Sequence, residues 1–250
     1  MNVIVNGRSV RCEADGPDDA PAIVFVHGLA ASLRAWQGQA ERLAARFRVV
    51  RYDLRSHGGS DAVDEPCARG DLAADLIGLL DALGIDRAVV VGHSAGGVIA
   101  MQAALDHPRR VRGLVLVGTA SECNDKTAAW YARTAEAARE RGGAAAVKAL
   151  GLKAGDDPVP DGNGFAHLTA AMRSLNRDPL TDALVDLDLP TLIVVGERDF
   201  LGVGGSVILS RTIARSELVI VPERGHGIYI EDPDWFAGRI EQFVDGLDAG

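Results

Sequence analysis

The chain has 250 residues, 47% of them hydrophobic and 24% charged, so it can bury one sizeable core. Its 35 acidic residues outnumber the 26 basic ones, and the formal charge of −9 disfavours binding to nucleic acid or to anionic membranes. Cys12, Cys67 and Cys123 are too widely spaced for a disulfide framework or a zinc site. The chain starts without a basic segment followed by an apolar one, and no apolar run could span a bilayer. We therefore expect an unprocessed, cytoplasmic, single-domain protein.

A hairpin and then an alternation of strands and helices are predicted in chain order. Asn6-Gly7 suits a two-residue turn between residues 3–5 and 9–12, because both residues tolerate positive φ. Short β-branched runs that barely alternate, typical of strands covered on both faces, occur at residues 22–26, 88–91, 114–117 and 191–195. Apolar residues recur at helical spacing in residues 35–45, 72–83, 98–105 and 235–247. This order predicts an α/β fold with a mostly parallel sheet.

Residues 121–185 break the alternation. They are rich in alanine and charge, lack a clear strand, and include a loop-like stretch at residues 155–164. We predict that they form a helical cap inserted into a core made of residues 1–120 and 186–250.

The predicted nucleophile is Ser94, in the sequence Gly-His-Ser-Ala-Gly at residues 92–96. An apolar strand precedes this motif and a helix starts near residue 98, which is the context that a Gly-x-Ser-x-Gly motif requires. Glycine two residues before and after the serine avoids collisions in a sharp, strained turn. An ordinary glycine-rich turn would give the same pattern. In this context, however, Ser94 is predicted at the C-terminal edge of the sheet, with the Ala95 N–H directed at a developing oxyanion.

The predicted base is His226. It follows the apolar residues 218–221, and loops after parallel strands gather at the edge where Ser94 is expected. The other five histidines, to which we assign structural roles, are His27, His57, His93, His107 and His167.

The predicted acid is Asp199, which directly follows residues 191–195 and gives the chain order serine, aspartate, histidine. A buried carboxylate there would hold the imidazole in one tautomer and stabilise the imidazolium. Asp199 could instead only cap a turn. Glu197 and Glu122 are weaker candidates for the acid.

The second oxyanion donor is predicted to be the Leu29 N–H, since Gly28 before it allows close approach of the backbone. An apolar lining is typical of small-molecule sites, although each candidate for it could equally pack in the core. The candidate substrate-binding residues are Trp36, Trp130, Phe200 and Ile228, with Tyr131 beside Trp130. Arg34 or Arg173 could pair with a substrate carboxylate, although arginines on a surface are more often solvated.

The motifs together resemble those of the α/β-hydrolase superfamily, specifically its small capped esterases and enol-lactonases. The likeness spans nearly the whole chain outside the predicted cap. It implies about eight strands with helices on both faces and a helical cap after the strand that ends near Val117. The loop around Asp53 would be structural, and Ser56 stands where glycine is usual, so a local difference in that turn is expected. The residues that carry the resemblance are His27-Gly28, residues 52–60, 92–97 and 196–199, and Gly225-His226.

These residues predict a serine hydrolase that cleaves a small carboxylic ester or a lactone through an acyl-enzyme, without a metal or organic cofactor. The small-molecule substrate and the oligomeric state stay open at this point. Some relatives use an aspartate nucleophile, which Ser94 argues against. A carbon–carbon bond hydrolase or a hydroxynitrile lyase could employ the same three residues differently, and product analysis separates these. A ligand-binding protein without turnover is the alternative of another class.

Overall fold

The computed structural model describes residues 1–150 and 161–248, and these contain eight strands in one sheet. The strands are β1 (Asn2–Val5), β2 (Arg8–Asp15), β3 (Ala22–Val26), β4 (Arg48–Tyr52), β5 (Ala88–His93), β6 (Val111–Val117), β7 (Thr191–Gly196) and β8 (Ser216–Val221). Their order in the sheet is β1-β2-β4-β3-β5-β6-β7-β8. The pairs β1–β2 and β2–β4 are antiparallel, and all other pairs are parallel. The predicted mostly parallel sheet is confirmed.

The predicted hairpin is confirmed. Asn6 and Gly7 join β1 to β2 with φ of +51° and +78°, the two positive values that a tight turn of this kind needs. β4 was not predicted, because Arg48 and Arg51 interrupt its apolar run. Arg51 is nevertheless buried, and its guanidinium lies 2.7 Å from the carboxylate of Glu13 on β2.

Helices cover both faces of the sheet. They are α1 (Gln37–Leu43), α2 (Arg69–Ala82), α3 (Ala95–Asp106), α4 (Asp125–Arg141), α5 (Gly143–Ala149), α6 (Gly162–Arg173), α7 (Val203–Thr212), α8 (Ile228–Glu231) and α9 (Pro233–Asp248). The apolar residues of α2, α3 and α7 join one core cluster, and those of α1, α8 and α9 join another. Side chains of β3 alternate between the clusters, since Val24 lies in the first and Phe25 in the second. The α/β architecture is therefore confirmed.

The predicted helices 72–83, 98–105 and 235–247 correspond to α2, α3 and α9. The predicted helix 35–45 begins as a short 3-10 helix at Leu33–Trp36 and continues as α1. α7 was not predicted, because its second and third residues, Gly204 and Gly205, mask its helical pattern.

Helices α4, α5 and α6 lie between β6 and β7, and no strand occurs among the described residues of this segment. The division between core and cap at residues 121 and 185 stays a prediction. Residues 155–160 of the predicted loop lie outside the described residues, and α6 begins at Gly162. Leu168 and Met172 of α6 join the main core, whereas Phe165 packs with alanines of α4 and α5.

In the described part of the chain, no helix has the length and apolar character needed to cross a membrane.

Two helical glycines should respond to alanine with opposite signs. A Cβ at Gly238 in α9 would meet no heavy atom within 4 Å, whereas one at Gly78 in α2 would lie 2.7 Å from the buried Val5 Cγ1. We expect Gly238→Ala to raise the free energy of unfolding by about 0.5–1 kcal/mol, because alanine costs less backbone entropy in a helix. Gly78→Ala should lower it. Urea unfolding of both variants measures the difference, and equal shifts would contradict the packing described.

Candidate active site

A sharp turn joins β5 to α3 at Ser94. Its backbone has φ +53° and ψ −117°, a conformation that side chains rarely adopt. A Cβ at Gly92 would lie 2.4 Å from the Gly96 carbonyl oxygen, and one at Gly96 would lie 2.2 Å from that of Val26. Only glycine fits at these two positions, since real Cβ contacts are never so short. Ser94 is partly exposed, whereas the residues on both sides of it are buried.

Asp199 lies just beyond β7 and is 1% exposed. Its Oδ1 accepts hydrogen bonds from the N–H groups of Leu201 (3.0 Å) and Gly202 (2.9 Å). Its Oδ2 accepts one from Nδ1 of His226, at 2.8 Å. One carboxylate thus caps its own turn and also holds the histidine ring, and its role as the catalytic acid stays a prediction.

Gly118 brings the ends of the neighbouring strands together. It follows β6 with φ +52°, and a Cβ there would lie 2.7 Å from Oδ2 of Asp199 and 3.1 Å from Nδ1 of His226. The N–H of Ser94 donates to the carbonyl of Val117, the residue before Gly118, at 2.9 Å. The structure therefore puts Asp199 and His226 in direct contact, at the same sheet edge as Ser94.

The two predicted oxyanion donors are the backbone N–H groups of Ala95 and Leu29. Ala95 is the first residue of α3, and Leu29 lies in the loop after β3. Within residues 1–150 and 161–248, neither of these N–H groups donates a hydrogen bond. Gly28, just before Leu29, approaches Ser94 so closely that a Cβ on it would lie 3.3 Å from the serine Cβ. The role of the two N–H groups as oxyanion donors stays a prediction.

Two buried histidines hold the loop that carries Leu29. His27 donates from Nδ1 to the Gly28 carbonyl (2.8 Å) and accepts at Nε2 from the Leu54 N–H (3.0 Å). His57 donates from Nδ1 to the carbonyl of Arg55 (3.1 Å) and accepts at Nε2 from the Ala30 N–H (3.4 Å). Burial lowers the pKa of His27 to about 4. Burial, then the nearby His27, lowers the pKa of His57 to about 3. Both rings are therefore neutral at pH 7.

From the sequence, His27 and His57 were predicted to have structural roles, but no link to the loop that carries Leu29 was predicted. The signal was available in part, because His27 precedes Gly28-Leu29 directly. That His57 reaches the same loop follows from the fold, which brings the two tilted rings together with their centroids 5.3 Å apart.

The loop around Asp53 is tied together by this carboxylate. Its Oδ1 accepts from the Leu33 N–H (2.7 Å) and its Oδ2 from the Gly59 N–H (2.8 Å). Ser56 in this loop has φ +60°, in the left-handed region that glycine favours. Its hydroxyl accepts from the Val63 N–H at 2.9 Å. Ser56 thus adopts the backbone conformation that glycine would have here, and the Val63 N–H holds its hydroxyl.

The predicted substrate contacts of Trp36 and Ile228 are wrong. Both side chains are 0% exposed and belong to the core cluster on one face of the sheet. The Trp36 ring lies 5.0 Å from that of Phe25 and 4.2 Å from that of Tyr229, so no substrate reaches it. A large aromatic side chain next to a site motif serves the core here, where its buried area stabilises the fold.

Phe200 is 91% exposed, so its side chain extends into solvent and does not line an enclosed pocket. Trp130 is partly buried, and its ring lies 5.1 Å from that of Tyr131, which packs against the main core. Burial raises the pKa of Tyr131 to about 12. Arg34 and Arg173 are exposed. The substrate roles of Trp130 and of the two arginines stay predictions.

Acid should destabilise the fold through His27. The unfolded side chain, with an ordinary pKa near 6.5, takes up a proton before the folded one does. The free energy of unfolding should therefore fall by about 1.4 kcal/mol per pH unit as pH drops from 6.5 towards 4, with no effect above this window. His27→Gln keeps an acceptor for Leu54 but does not titrate. Urea unfolding at pH 7.5 and 5.5 should show the smaller acid loss in the variant, and an equal loss would contradict the burial of a neutral His27.

Comparisons with known proteins agree with this geometry. A family model described as alpha/beta hydrolase fold matches residues 21–151. The 3-oxoadipate enol-lactonase 1 of Acinetobacter baylyi is 27% identical over 259 aligned positions, covering 96% of this chain and 95% of that protein. A proposed carbamate hydrolase, RutD, from Caulobacter sp. is 30% identical, covering 92% and 93%. The crystal structure of the enol-lactonase from Burkholderia xenovorans LB400 has a TM-score of 0.90 at 27% identity, covering 98% of this chain and 100% of that one. The chain therefore belongs to the α/β-hydrolase fold family, in an enol-lactonase-like branch, and it is a hydrolase.

Proposed function

We propose that this hydrolase acts on an ester bond of a small molecule, with Ser94 as nucleophile, His226 as base and Asp199 as the acid that orients the base. The observation that carries the proposal is the 2.8 Å hydrogen bond between His226 Nδ1 and the buried Asp199, at the same sheet edge as the strained Ser94. A nucleophile, its base and a group that orients the base are the parts that acyl transfer through a serine requires.

The first half of the reaction forms an acyl-enzyme. Because Nδ1 of His226 donates its proton to Asp199, Nε2 is the unprotonated nitrogen and takes the proton of the Ser94 hydroxyl. The serine oxygen then attacks the substrate carbonyl carbon. The negative charge on the carbonyl oxygen is stabilised by the N–H groups of Leu29 and Ala95, which no protein group occupies among the described residues. His226 passes the proton to the leaving alkoxide as the carbon–oxygen bond breaks.

The second half releases the acid. His226 takes a proton from a water molecule, whose oxygen attacks the acyl carbon, and the proton then returns to the Ser94 oxygen as the ester bond to the enzyme breaks. Asp199 stays ionised throughout and stabilises the imidazolium that forms in each half. Every proton is accounted for by Ser94, His226, water and the leaving group, so the cycle needs no cofactor.

The relatives favour a lactone, an internal ester, as the substrate. The Acinetobacter baylyi relative and the Burkholderia xenovorans structure are enol-lactonases, and both align with almost the whole of this chain. Opening a lactone uses the same acyl chemistry, but the new hydroxyl group stays part of the acyl chain. Water then releases a single product, a hydroxy acid, from the enzyme. An open-chain ester is the nearest alternative. A carbamate is a further acyl substrate for the same residues, and the 30% identical relative supports it.

The helices between β6 and β7 are proposed to form the cap over this edge and to select the substrate. Residues of α4, α5 and α6 pack in one apolar cluster against Leu29, which carries a proposed oxyanion donor, and against Ala30 next to it. Partly buried Trp130 of α4 is the aromatic substrate contact that we retain from the sequence, with Tyr131 packed behind it.

A panel of small lactones, linear esters and carbamates tests the function. We expect hydrolysis of lactones or esters by the wild-type chain, and a loss of about 10⁴-fold or more in kcat for Ser94→Ala, which removes the covalent route. Ser210→Ala, in α7, is the control for a serine outside the site.

A fluorophosphonate should label the native chain once, at Ser94, and not the heat-denatured chain. Undiminished turnover by Ser94→Ala would exclude the mechanism, and absence of both labelling and turnover would favour a binding protein.

Asp199→Asn tests the role of the acid. The amide can donate to His226 as well as accept, so it favours the tautomer in which Nε2 is protonated and cannot act as base. We expect kcat to fall by about 10⁴-fold, as loss of the correct tautomer does in a serine protease. A kcat within about tenfold of wild type would instead leave Asp199 with the turn-capping role alone.

A further inference from the structure

His93, the residue before Ser94, has no part in the mechanism proposed above, yet it is buried beside the base. Its side chain belongs to the last residue of β5 and is 7% exposed. The ring centroids of His93 and His226 are 4.5 Å apart. The His93 ring can therefore affect the position of His226, although it does not touch the reacting atoms.

The hydrogen bonds of His93 define its tautomer. Its Nε2 lies 3.0 Å from the carbonyl oxygen of His226, which can only accept, so Nε2 carries the proton and donates it. Nδ1 is then an acceptor, and the hydroxyl of Tyr229 lies 3.4 Å from it. The Nε2–H group therefore holds the backbone of the very residue whose side chain is paired with Asp199.

Buried aromatic rings pack against His93 at tilted angles. The ring of Tyr229 lies 4.7 Å from that of His93 and 4.2 Å from that of Trp36. The Tyr229 carbonyl also accepts a hydrogen bond from the side-chain amide of Gln39, at 2.7 Å. Trp36, wrongly predicted to contact substrate, thus forms the buried end of a row of contacting rings that leads through Tyr229 and His93 to His226.

Charge also favours this arrangement. Burial, and then the proximity of His226, keep the pKa of His93 well below its ordinary value of 6.5. The titratable groups that face its ring are His226, Tyr229 and, more distantly, His27, and none of them is an anion that would stabilise a proton on it. Burial raises the pKa of Tyr229. A neutral His93 avoids placing a second positive charge beside the imidazolium of His226.

We propose that His93 is a positioning residue, whose Nε2–H donor holds the His226 backbone so that the base faces Ser94. The proposal rests on the function proposed above only in taking His226 as the base. His93 acts through His226 and does not contact the substrate, so its loss should lower kcat and leave KM unchanged.

Three variants separate the donor from the packing. His93→Phe keeps an aromatic ring but removes the donor, and His93→Gln loses the ring but has a side-chain N–H group at a similar distance from the backbone. His107→Phe, at the exposed end of α3, is the matched control. We expect kcat to fall about ten- to a hundredfold in His93→Phe, because a shift of the base by less than 1 Å is enough for this loss. His93→Gln should recover most of it, and the control should equal wild type.

Each outcome has a defined meaning. If His93→Phe unfolds at the same temperature as wild type and retains full kcat, the proposal is wrong. If His93→Gln is as slow as His93→Phe although both are folded, restoring a side-chain donor does not restore turnover, and the proposal that this donor positions His226 is overturned. Because the test of Ser94→Ala is independent, an inactive Ser94→Ala together with fully active His93 variants would overturn this inference alone.

A measurement without substrate is also decisive. Nuclear magnetic resonance of ¹⁵N-histidine-labelled protein, assigned with the His93→Gln variant, should show His93 protonated at Nε2 and unprotonated at Nδ1 at pH 7, and still neutral at pH 5.5. A protonated Nδ1, or titration of His93 near pH 6.5, would contradict the proposal whatever the activity of the chain.

Discussion

The close approach of the turn after β5 to the end of β3 is the constraint on which the rest of the site depends. The turn after β5 is pressed against the end of β3, so that the backbone of Gly96 meets that of Val26. Positive φ at Ser94 lets the chain leave the strand and start α3 within a single residue. This conformation is strained by an amount of the order of 1–3 kcal/mol, and it persists because the surrounding sheet leaves the chain no other path.

The parallel topology then determines which groups can reach the serine. In the sheet, β5 lies between β3 and β6, and β7 and β8 follow on the side of β6. The loops after these strands therefore meet at one edge, and those after β3, β5, β7 and β8 carry Leu29, Ser94, Asp199 and His226. Glycine lines the Asp199 carboxylate on two sides, since a Cβ at either Gly118 or Gly202 would lie within 3 Å of its Oδ2. The carboxylate is thus enclosed by backbone on these sides, and His226 is hydrogen-bonded to its Oδ2.

The sequence was sufficient for the features that depend on local pattern. β3 was predicted at its true bounds because its apolar run is uninterrupted, and the hairpin because Asn6-Gly7 admits one kind of turn. β4 was missed because its buried Arg51 is compensated by carboxylates on the neighbouring strand, a compensation that is visible only after the strands pair. Trp36 and Ile228 were misassigned because the spacing of apolar residues does not tell which side of a loop faces the cleft. His93 was set aside because its partner, the backbone of His226, is 133 residues away.

The contact between Ser56 and Gly164 links the loop of Asp53 to a helix of the proposed cap. A Cβ at position 164 would lie 1.7 Å from the hydroxyl oxygen of Ser56, so the two positions share one small volume. A side chain at position 56 or one at position 164 can occupy that volume, but not both. Among homologues, positions 56 and 164 should therefore covary in size, with glycine at 56 permitting a larger residue at 164. Ser56, which stands where glycine is usual, is thus paired with Gly164 on α6, which has no side chain. The sequence of the proposed cap is therefore constrained by that of the core.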